Sequence, residues 1–64
     1  MIEMSSKTTA EIKALSTDAE QTEGLLAVMN YYGVNNLMRI SEPMALLFLE
    51  KVRSGEINIQ DYLG

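Results

Sequence analysis

Asp18, Glu20 and Glu23 form the cluster of ionisable side chains on which any chemistry in this 64-residue chain would have to draw, together with its Tyr and Lys residues. The chain has no His and no Cys, so it lacks the usual general base near neutral pH and the usual thiol nucleophile. Ser5, Ser6, Ser16, Ser41 and Ser54 have no base to activate them. The three carboxylates stand where a helix is expected to begin, and acidic side chains there stabilise the positive end of the helix dipole. We read them as structural. Their spacing is not that of a calcium loop, and Gly24, Gly33, Gly55 and Gly64 stand singly, so no phosphate-cradling loop is present. The expectation is a non-enzymatic protein with no cofactor and no metal, whose work is binding.

Composition bounds that work. Apolar residues make up 47% of the chain, enough to fold, but a domain this small buries only about 60% of the surface its unfolded form exposes. Small natural domains therefore add a staple, and without Cys or His the options are close helix packing, self-association or folding on a partner. The net charge of −4 removes the generic attraction to nucleic acid or anionic lipid and favours a basic partner surface. No apolar run reaches the length of a membrane span, and the N-terminus lacks the pattern of a signal peptide, so a soluble, cytoplasmic protein is expected.

The elements follow from periodicity and caps. Residues 1–17, rich in Ser, Thr and Lys, read as an N-terminal arm, either partly disordered or carrying a short helix over about 9–16 behind the capping box Thr8-Thr9-Ala10-Glu11. Residues 18–64 read as the helical domain. The signal Thr17-Asp18-Ala19-Glu20 opens a helix over about 18–32 whose apolar stripe is Ala19, Leu25, Leu26, Val28, Met29 and Tyr32. Gly33 ends it, with Val34 packing back on Met29. Tyr31 falls on the polar side, either as an ordinary surface ring or as an interface contact. A single helical turn after Asn35 leads to Ser41-Glu42-Pro43, where Glu42 takes the cap position of a helix running to about Ser54. The tail suits a helical turn capped by Asn58, with Ile57, Tyr62 and Leu63 docked on the helices; a strand paired with a second copy is the alternative. The fold expected is all-α: three helices built on an antiparallel pair and completed by dimerisation.

In the last helix Met44, Ala45, Phe48, Leu49 and Val52 make one apolar face, which Leu46 and Leu47 do not join. They lie instead beside Glu50, Lys51 and Ser54. A helix apolar on nearly all sides is expected only when nearly all sides are buried. Either a second chain covers these leucines or the chain's own ends fold over them. The candidate protein interface is therefore Leu46, Leu47 and Glu50, with Tyr31 and the adaptable Met38 and Met44.

The leading functional reading is a protein-binding module of the regulator or inhibitor type that forms a homodimer and docks on a larger protein. A structural subunit whose function is self-assembly is the alternative, and a small-molecule binder between the helices ranks behind both. Tyr32-Gly33-Val34-Asn35 resembles the turn of a helix-turn-helix motif, but Met29 is bulky where the helices must approach, and the helix behind the turn offers only Arg39 as a cation. A ribbon-helix-helix strand over Met1 to Lys7 carries one basic residue. Nucleic acid is not the expected partner.

Overall fold

Hydroxyl, amide and carboxylate side chains set where each helix begins. The structure is a computed structural model and describes residues 3–63. It contains α1 (Ser6–Lys13), α2 (Thr22–Tyr32) and α3 (Glu42–Arg53), with short 3-10 turns at Leu37–Arg39 and Ile59–Tyr62. Among the described residues there is no strand, only an isolated antiparallel bridge between Glu3 and Ser41. Met1, Ile2 and Gly64 lie outside the described residues, and with them the start of the alternating Met1 to Lys7 segment; Ser6 and Lys7 are helical.

α1 starts earlier than Thr8 and Glu11 suggest, because Ser5 is the cap: its hydroxyl accepts from the Thr8 amide at 3.1 Å. Thr8 is thereby placed inside the helix and is 3% exposed. α2 starts later than residue 18. The Asp18 carboxylate reaches forward across a turn, accepting from the Thr22 amide at 3.0 Å, the Thr22 hydroxyl at 2.7 Å and the Glu23 amide at 3.2 Å. Glu23 reaches back to accept from the Thr17 amide at 3.1 Å and hydroxyl at 2.9 Å. This reciprocal lock spans more chain than a capping box, and the intervening turn puts Gln21 in the left-handed region at φ 59° and leaves Ala19 exposed. α2 ends at Gly33, φ 69°, where the Val34 amide donates to Met29 and the Gly33 amide to Asn30, the paired bonds of a Schellman ending. Ser41, not Glu42, caps α3; Glu42 is its first helical residue and Pro43 lies in the first turn. Asn58 caps the terminal turn, accepting from the Gln60 amide at 3.0 Å.

The face that α2 buries differs from the expected one. Gly24, Ala27 and Val28 are buried, whereas Leu26 is 42% exposed and Met29 lies outside the core cluster. The cause is Gly24, which rests on the Ile12 carbonyl of α1 with no room for a Cβ. Small residues let α1 and α2 approach closely, so Gly24 and Ala27 lie on the inward side of α2 and Leu26 is left facing solvent. The core is Ile12, Ala27, Val28, Ile40, Ala45, Phe48, Leu49, Ile57 and Ile59. α1 packs on both α2 and α3, and the Ile59–Tyr62 turn lies on α2. α2 and α3 meet through side chains, the Tyr31 and Phe48 rings at 5.5 Å and the Tyr32 hydroxyl donating to the Met44 carbonyl at 2.8 Å.

Gly24→Ala tests this packing through its sign. In an open helix interior the change stabilises by about 1 kcal/mol. Here the methyl meets backbone, so a loss of about 1 to 3 kcal/mol in urea denaturation is expected.

Candidate protein interface

Glu42 fixes the start of α3 against the start of α1. Its carboxylate accepts from the Ser5 amide at 2.9 Å, the Thr8 hydroxyl at 2.8 Å and the Ser5 hydroxyl at 3.4 Å. The Ser5 amide bond, helped by the Thr8 hydroxyl, holds the carboxyl below its ordinary value of 4.5. Asp18 is held below 3.8, chiefly by the Thr22 hydroxyl. At the other end of α2, burial raises the Tyr32 phenol above 10.0, and its hydroxyl donates to the Met44 carbonyl.

With α3 held in this way, Ala45, Phe48 and Leu49 enter the core, and Leu46 and Leu47 are left outside it, each 47% exposed. Neither the described N-terminal segment nor the tail covers them. Glu50, one turn on, is exposed on the same outer face and has no ion-pair partner among the described residues. The neighbouring cations are engaged within the chain, Lys51 with Glu56 at 3.0 Å and Arg53 with Glu11 at 3.7 Å. Surface pairs of this kind contribute little to stability and can be exchanged for others.

The remaining candidate residues are placed elsewhere. Met44 is half-buried against the core. Met38 is 65% exposed on the Leu37–Arg39 turn, beside a shallow cleft of about 150 Å³ lined also by Met4, Leu37 and Ile40. Tyr31 is not on a polar face: it is half-buried, edge-on to Tyr32 at 4.8 Å and to Tyr62 at 5.4 Å. The inward turn of the Gly24 and Ala27 side carries Tyr31 with it, since these residues lie seven and four positions before it in the helix. Leu26 is exposed on the outer face of α2 and Met29 is partly buried outside the core cluster, although the size of the side chains had assigned both to the core. The signal for this was the Gly24 and Ala27 spacing, which marks a close helix contact.

Among the described residues every buried side-chain polar atom has a partner, and no group of His, Cys, Asp and Glu could hold a metal ion. No helix is long and apolar enough to cross a membrane. Comparison with known proteins gives no match to a family model, to a curated protein or to a solved structure.

The Glu42 contacts set a pH dependence. A carboxyl whose folded-state affinity for protons lies below its unfolded value adds stability above the unfolded value and loses it as pH falls through the folded one. Melting temperature should therefore hold steady above about pH 5 and decline from there downward, as Glu42 and Asp18 take up protons. Glu42→Gln should lower the melting temperature at neutral pH and flatten the decline, as followed by circular dichroism.

Proposed function

We propose that this chain is a non-enzymatic helical protein-binding module, of the regulator or inhibitor type, that self-associates through the outer face of α3 and docks on a larger protein through a second surface. The observation that carries the reading is the pair Leu46 and Leu47, each 47% exposed on a helix whose opposite face is already filled by core residues. Fully burying a leucine stabilises by about 1.5 to 3 kcal/mol, so covering the exposed half of both contributes about 1.5 to 3 kcal/mol per copy. That supports a reversible association.

Leu26 on α2, 42% exposed, favours a module over a subunit that does nothing but self-assemble, because it leaves apolar surface outside the α3 face. The mild excess of acid suits a target with basic residues around an apolar groove. The structural-subunit reading predicts no heteromeric partner. Nucleic acid is disfavoured because two of the five cations are engaged in pairs with carboxylates.

Replacing both Leu46 and Leu47 with Glu tests the assignment. Light-scattering mass after size exclusion should show the native chain gaining mass with concentration and the variant staying a monomer of unchanged helicity. A native chain that is monomeric throughout a hundredfold dilution series contradicts self-association.

A further inference from the structure

We draw no further inference here: the strongest candidate, the shallow apolar cleft of about 150 Å³ between the N-terminal segment and the Leu37–Arg39 turn, lined by Met4, Leu37, Met38 and Ile40, is an unpartnered surface, and nothing in the structure shows what covers it.

Discussion

The contact between Gly24 of α2 and the Ile12 carbonyl of α1 is the constraint from which the rest of the arrangement follows. Two helices can come this close only where a residue has no side chain in the way, and that fixes which side of α2 faces inward. Ala27 and Val28 follow Gly24 into the core, Tyr31 is carried into contact with Phe48 and Tyr62, and Leu26 is turned to solvent. Ile12, on the other side of the contact, is fully buried, so α1 is an integral wall of the core. It touches α2 and α3 alike.

Polar side chains then hold what close packing brings together. Glu42 ties the starts of α1 and α3, and the interlocked Asp18 and Glu23 set the entry to α2. Each of these carboxylates accepts from an amide and a hydroxyl; Asp18 and Glu42 thereby satisfy amides at the starts of α2 and α1, and Glu23 satisfies the Thr17 amide in the connection between those helices. A domain this small has little apolar burial in reserve. It nonetheless leaves Leu46 and Leu47 half outside, and the proposed self-association would cover them.

Those elements whose signals are local were legible in the sequence. Ser41-Glu42-Pro43, Gly33 with Val34, and Asn58 each act within a few residues, and the structure places a helix start, a helix end and a terminal turn at them, although Ser41 takes the cap position expected of Glu42. Signals that compete were read less well. Thr8 and Glu11 form a plausible capping box, yet Ser5 caps α1, because Thr8 finds a better partner in Glu42, distant in sequence. The buried side of α2 was misassigned for a related reason. Hydrophobic periodicity weighs the size of side chains, whereas the close contact with α1 depends on the smallest ones. The same limit explains the candidate interface: Leu46, Leu47 and Glu50 were visible as departures from the α3 stripe, Tyr31 was placed on the wrong side, and Leu26 was counted as core.

The account rests on the α3 leucine pair being where one copy meets another, while the core stays as it is. A methyl-resolved NMR dilution series measures this residue by residue. The account predicts that the methyl resonances of Leu46 and Leu47 move with concentration while those of Ile12, Val28 and Leu49 hold still. Concentration-independent Leu46 and Leu47 signals, or a shift of the core methyls together with them, would contradict it.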